Sequence, residues 1–143
     1  MFEKVNHIEL SGEAYPIRCD MAVLEKIQDK YGDLIAFEDL IYKFEPKLDD
    51  KGKPVKNKEG LIIGTYGYPK ISAVNDALYW FVEEGLDIEE PGKTISRKEL
   101  IRNVDLPPID LARMVHDEYV RCFERKNVQT PQNPETKSGE TSE

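Results

Sequence analysis

The chain has 143 residues, of which 34% are charged and 39% hydrophobic, and its formal net charge at pH 7 is −8. This length is typical of a single domain with a modest core. The acidic balance argues against a nucleic-acid-binding module, which needs basic side chains to neutralise phosphates, and against docking on an anionic membrane surface.

Cysteine content and hydropathy indicate a cytoplasmic protein. The two cysteines, Cys19 and Cys122, are far apart and form no C-x-x-C motif, so we expect both to be reduced. The N-terminal residues lack the basic and apolar regions of a signal peptide. The apolar stretches are far shorter than the ~20 residues that a membrane span requires.

A β-hairpin and two helices are predicted first. Residues 2–10 and 14–19 flank the turn Ser11-Gly12-Glu13, and Pro16 favours an edge strand. Asp20 is a candidate N-cap for a helix over residues 21–31, which Gly32 would end. Asp33 is placed to cap a second, short helix. Its apolar residues recur at helical spacing: Leu34, Phe37, Leu40 and Ile41.

Residues 45–68 contain glycine and proline too often for a helix, and the segment is predicted to be an irregular exposed arm or a mobile hairpin. Residues 61–63 could form a short strand that pairs with residues 47–48 or with residues 54–55. We call this segment the Lys-rich arm. The lysines that make it locally basic are Lys51, Lys53, Lys56 and Lys58.

The second half of the chain is predicted to be helical. A strongly periodic helix covers residues 71–84 and should stop at Gly85, before a turn over residues 86–92. Ser96 and Glu99 form a capping box for a short helix. The last helix should follow Pro107-Pro108 and run to about Lys126.

The predicted fold class is therefore α+β, mostly α, with an N-terminal β-hairpin, a small bundle of four to five helices and the extended Lys-rich arm. Residues 1–126 should form a single globular domain. Residues 127–143 are polar, contain two prolines and one aliphatic residue, and are predicted to be a disordered tail.

The sequence shows no motif for catalysis, metal binding or nucleotide binding, so we expect no cofactor and no enzymatic activity. His7 and His116 are expected to be isolated. The acidic run over residues 83–90 is predicted to be a solvated rim, or alternatively a patch for a basic partner. Tyr79 and Trp80 cannot share one core face, so Trp80 is expected in the core and Tyr79 at its rim. Alternatively, one of the two contributes to an apolar contact surface.

Three segments carry a resemblance to a known family. Residues 15–32 follow Y-x-I-x-C-D-M-x-x-L-x-x-I-x-x-x-Y-G, residues 77–86 read A-L-Y-W-F-V-E-E-G-L, and residues 94–101 read T-I-S-R-K-E-L-I. In this order the chain resembles the tail assembly chaperones of long-tailed phages and of prophages in Gram-positive bacteria. The similarity covers roughly residues 3–126, although the Lys-rich arm is not a feature of every member.

The resemblance implies a non-enzymatic protein of the bacterial cytoplasm that is absent from the mature virion. Its expected partners are the tape measure protein and the tail tube protein, and homo-oligomerisation stays open. The expected partner-binding residues are Tyr79, Tyr119, Phe123, Lys51, Lys53, Lys56 and Lys58. Tyr119 and Phe123 could equally complete the core. The alternatives are a small acidic protein-interaction or regulatory module, or an enzyme with an unrecognised site.

Overall fold

The computed structural model describes residues 5–129, which form a β-hairpin, five helices and a second small hairpin. The fold is α+β and mostly α, as predicted. Its elements in chain order are β1 (Asn6–Leu10), β2 (Glu13–Ile17), α1 (Met21–Tyr31), α2 (Leu34–Ile41), β3 (Phe44–Pro46), β4 (Gly64–Tyr66), α3 (Ile71–Glu89), α4 (Arg97–Arg102) and α5 (Pro108–Gln129).

The N-terminal hairpin has the predicted turn. β1 pairs with β2 antiparallel, with Leu10 opposite Glu13, so that only Ser11 and Gly12 connect them. Their φ angles are 51° and 80°, the left-handed values that a two-residue turn requires. The side chains of Ile8 and Leu10 are buried, which anchors this hairpin on the core.

Three predicted helix starts are confirmed by their capping hydrogen bonds. Asp20 accepts a hydrogen bond from the Val23 N–H at 3.3 Å, and Asp33 accepts one from the Ile35 N–H at 2.8 Å. Ser96 accepts one from the Glu99 N–H at 3.0 Å. Each oxygen satisfies a backbone donor that the helix itself leaves without a partner.

The predicted end of α3 at Gly85 is wrong, because the helix continues through this glycine to Glu89. Gly85 instead lets α3 approach the backbone of β2. A Cβ atom on Gly85 would lie 2.5 Å from the carbonyl oxygen of Pro16. One turn earlier on α3, the Phe81 carbonyl accepts a hydrogen bond from the Arg18 N–H at 3.0 Å.

α3 forms the centre of the core and contacts β2 and the other helices α1, α2, α4 and α5. Apolar residues at helical spacing are expected on the core side of a helix, and five such residues of α1, α3 and α5 are buried in the structure. They are Leu24, Ile27, Leu78, Phe81 and Val115.

The Lys-rich arm is more regular than predicted. β3 and β4 pair antiparallel at its base, with Phe44 opposite Tyr66. Beyond them, two similar turns follow each other. The side-chain oxygens of Asp49 and Asn57 each accept two backbone N–H groups, and Gly52 and Gly60 have positive φ angles. Such Asx turns are defined by local sequence and need little tertiary support.

Three segments of the arm are closed into a ring by backbone hydrogen bonds. The N–H of Lys47 donates to the carbonyl of Ile63, that of Ile63 to Val55, and that of Val55 to Lys47, over 2.8–3.0 Å. Both pairings suggested for residues 61–63 therefore occur together. An arm folded on itself in this way satisfies many of its own backbone groups with partners inside the arm.

The last helix extends to Gln129, three residues beyond the predicted end at Lys126. Pro131 follows in the sequence, and a proline disfavours helical geometry in the residue before it, so the sequence permits a helix up to this point. The remainder of the predicted disordered tail lies outside the described residues.

The close approach at Gly85 gives a stability prediction. In an exposed helix, Gly→Ala stabilises by about 1 kcal/mol. At Gly85 we expect the opposite sign, a loss of about 2–4 kcal/mol, because the new methyl group must displace the backbone of β2. Urea denaturation of Gly85→Ala measures this loss. The exposed α3 substitution Ser72→Ala is the control, and a Gly85→Ala variant as stable as the parent would contradict the contact.

Candidate functional site

An exposed apolar surface lies where α2 meets α5. We call it the α2–α5 patch and define it by Leu34, Ile35, Tyr119 and Phe123. Ile35 is 73% exposed and Phe123 is 53% exposed, which is high for apolar side chains. The four residues line a shallow depression of about 430 Å³. Neighbouring exposed apolar groups are typical of protein-contact surfaces.

Tyr119 forms the floor of this patch and is not itself exposed. Its side chain is 2% exposed, and its hydroxyl donates a hydrogen bond to the Leu34 carbonyl at 2.8 Å. The Phe123 ring packs edge-on against it, with ring centroids 5.1 Å apart. Of the two predicted contact residues on α5, Tyr119 therefore completes the core and Phe123 is accessible to a partner.

The charged residues that line the patch are both acidic. Asp33 caps α2 through the Ile35 N–H, and Glu38 pairs with Nε2 of His116 at 2.7 Å. His7 likewise pairs with Glu89 at 2.8 Å, so neither histidine is isolated, contrary to the prediction. An apolar centre with a negative rim favours a partner that combines apolar anchors with basic flanks.

Tyr79 lies in a different cleft, of about 680 Å³, between α1, α3 and the turn after α3. Its hydroxyl donates to Glu83 at 3.0 Å, and Glu83 also pairs with Lys26 at 3.2 Å. Both Tyr79 and Trp80 are half-buried against the core, so neither is the wholly buried member of the pair. The structure does not bring Tyr79 together with Phe123.

Glu84, which lines the same cleft, forms a carboxyl pair with Asp20 at the start of α1. The hydrogen bond between Glu84 and Asp20, followed by burial and the charges of Asp20 and Asp87, raises the pKa of Glu84 to about 7; Lys26 opposes this shift. The predicted acidic rim therefore includes a group that changes charge near neutral pH. Sequence reasoning missed this pair because its members are 64 positions apart on different elements.

The four lysines predicted to bind a partner are all exposed on the Lys-rich arm. They lie on or beside its two Asx turns, and no acidic residue interrupts residues 51–58. They line neither the α2–α5 patch nor the cleft at Tyr79. The arm is thus a separate, basic surface.

An aromatic cluster fixes the base of the arm against α5. The rings of Tyr42 and His116 stack with centroids 3.9 Å apart, and Tyr66 contacts Tyr42 edge-on at 5.7 Å. The guanidinium of Arg113 lies 5.2 Å from the centre of the Tyr66 ring. These contacts determine where the arm leaves the helical body, and the sequence did not indicate them.

Ile35 also went unnoticed in the sequence, although a signal was present. In the segment L-I-A-F-E-D-L-I of α2, Leu34, Phe37 and Ile41 follow the core-facing period. Ile35 lies off that face, and it is the only large apolar residue of α2 with an exposed side chain. The sequence signal for this patch is therefore an apolar residue that lies outside the periodic face of a short helix.

Comparisons with protein-family models, with curated proteins and with solved structures gave no match to this chain. Within residues 5–129, no helix is both long enough and apolar enough to cross a bilayer. In the same part of the chain, no three histidine, cysteine, aspartate or glutamate side chains are grouped as a metal ion would require.

The carboxyl pair predicts how stability depends on pH. The pKa of Glu84 rises from an ordinary 4.5 to about 7 on folding, so its stabilising contribution is present below pH 4.5 and is lost as the pH rises through 7. Glu84→Gln keeps a hydrogen-bond donor for Asp20 but has no proton to lose. We expect it to gain about 1–2 kcal/mol relative to the parent between pH 5 and pH 8, a value reduced for solvent screening.

Urea denaturation of both proteins at the two pH values measures this change. The exposed Glu25→Gln is the matched control, because it removes one carboxylate from the same region without affecting the pair. Parallel pH profiles for Glu84→Gln and the parent would show that the two carboxyl groups do not share a proton.

Proposed function

We propose that this chain is a non-enzymatic tail assembly chaperone of a long-tailed phage or prophage, which binds the tape measure protein in the bacterial cytoplasm and assists polymerisation of the tail tube. The sequence resemblance over residues 15–32, 77–86 and 94–101 supports this proposal. Such a protein has completed its role once the tail is assembled, so we do not expect it in the mature virion.

The observation that carries the proposal is the α2–α5 patch. A holding chaperone needs an apolar surface that unassembled amphipathic helices can cover. Ile35 and Phe123 supply such a surface on two adjacent helices, and buried Tyr119 supports it from below. A helical partner would place apolar side chains into the depression and bury the two exposed residues.

Charge supports the same kind of partner. The net charge of −8 keeps the protein soluble at high concentration, and the acidic rim of the patch favours basic flanks on the bound helix. The Lys-rich arm carries the opposite sign and can attract acidic stretches of the same partner. A long, largely helical protein with mixed charges fits both surfaces.

The test of the function is co-expression with the tape measure protein encoded in the same genome. We expect the parent chain to raise the soluble fraction of that protein. Ile35→Ser combined with Phe123→Ser should bind it at least about tenfold more weakly, because each lost apolar contact contributes on the order of 1–2 kcal/mol. Sedimentation of lysates and pull-down with the tagged chain measure both effects.

Met21→Ser is the matched control, because Met21 is 78% exposed but lies outside the patch. If the tape measure protein stays equally insoluble with and without the parent chain, the proposed function is wrong. If the double variant rescues it as well as the parent does, the function stands and the patch is not the contact surface.

The Lys-rich arm gives a kinetic prediction. Replacing Lys51 and Lys53 with glutamate should slow association with the immobilised tape measure protein several-fold at low salt, with little effect at high salt, because steering by exposed charges is screened. Surface plasmon resonance at two ionic strengths measures the rates. Lys70→Glu with Lys98→Glu is the control, since both are exposed lysines outside the arm. Equal slowing by the two pairs would assign the effect to net charge alone.

A further inference from the structure

The two cysteines of the chain meet in the fold although most of the sequence separates them. Cys19 lies two residues after the end of β2, and its backbone N–H donates to Oε2 of Glu118 at 3.0 Å. Cys122 lies four residues after Glu118 on α5, and therefore one turn further along the same helix face. The thiols of Cys19 and Cys122 are hydrogen-bonded to each other.

The environments of the two thiols differ. Cys19 is buried, with 0% of its surface exposed, whereas Cys122 is partly exposed on α5. The hydrogen bond with Cys122, together with burial and the nearby carboxylates of Glu118 and Asp20, raises the pKa of Cys19 far above its usual range. Cys122 is therefore the thiol that a reagent in solution reaches, and Cys19 is the protonated partner behind it.

We propose that Cys19 and Cys122 form a redox modification site, which closes to a reversible intramolecular disulfide when the protein meets a peroxide. The sulfur of Cys122 attacks one peroxide oxygen, the O–O bond breaks, and Cys122 becomes a sulfenic acid while the departing hydroxide takes the Cys122 thiol proton as the first water. The sulfur of Cys19 then attacks that of Cys122, the S–O bond breaks, and the departing hydroxide takes the Cys19 proton as the second water. Both electrons pass from the thiol pair to the peroxide.

The bond would join the end of β2 to the C-terminal half of α5 and close a loop over most of the described chain. A disulfide that closes a long loop restricts the unfolded chain more than one that closes a short loop. Oxidation should therefore stabilise the protein. The proposal stands on the position of the two thiols and does not depend on the proposed function.

To test this, the full chain is treated with hydrogen peroxide under native conditions. The remaining thiols are then alkylated, and the tryptic peptides are mapped by mass spectrometry without reductant. Trypsin releases residues 19–26 and 122–125 as separate peptides. We expect them joined, with a mass lower by two hydrogens than their sum, in a monomeric protein. We also expect Tm to rise by about 5 °C or more and to return to its starting value with dithiothreitol.

Cys19→Ser and Cys122→Ser should each abolish the linked peptide and the rise in Tm. Three results would overturn the proposal: over-oxidation of Cys122 with Cys19 unmodified, dimers linked through Cys122, or linkage only after denaturation. Because the mapping is done on the parent chain, the test holds even if either variant folds poorly.

Discussion

The close approach of α3 to β2 at Gly85 is the constraint on which the rest of the fold depends. A helix normally packs on a strand through a layer of side chains, but here the missing Cβ lets the two backbones meet. The hydrogen bond from Arg18 to the Phe81 carbonyl, one turn away, fixes the strand along the helix. With the hairpin held on one side of α3, the other helices pack around its remaining faces.

Two buried carboxylates then hold the outer helices in place. Asp76 on α3 accepts hydrogen bonds from Lys30 and Tyr31 of α1 and from Arg97 of α4, over 2.6–2.9 Å. Burial alone would raise the pKa of Asp76, but these three donors outweigh it and lower the pKa. Glu118 similarly joins α5 to the hairpin, because it accepts hydrogen bonds from Asn6 of β1 and from the Cys19 N–H two residues after β2. Because a buried carboxylate is costly without its partners, such groups favour one arrangement of helices over its alternatives.

Local signals in the sequence were sufficient for most elements but not for their contacts. Asp20, Asp33 and Ser96 identify helix starts because a capping hydrogen bond reaches only two or three residues. The predicted helix end at Gly85 was wrong, because a sequence alone cannot show that a strand lies against this glycine. Phe123 belongs to the same apolar period as the buried residues of α5, so its exposure depends on where the start of α2 lies beside it. The patch is formed by both helices, and the sequence indicated only its residues on α5.

A continuous chain of contacts links the α2–α5 patch to the Lys-rich arm. Glu38, on the rim of the patch, pairs with His116, whose ring stacks on Tyr42, and Tyr42 contacts Tyr66 at the base of the arm. If a partner binds the patch as proposed, a basic group on it would compete with His116 for Glu38. The imidazole would then lose the contact with Glu38, and the aromatic stack beneath the arm would lose part of its support. The two surfaces share no residue, so these four side chains are the contacts through which such a partner would affect the arm.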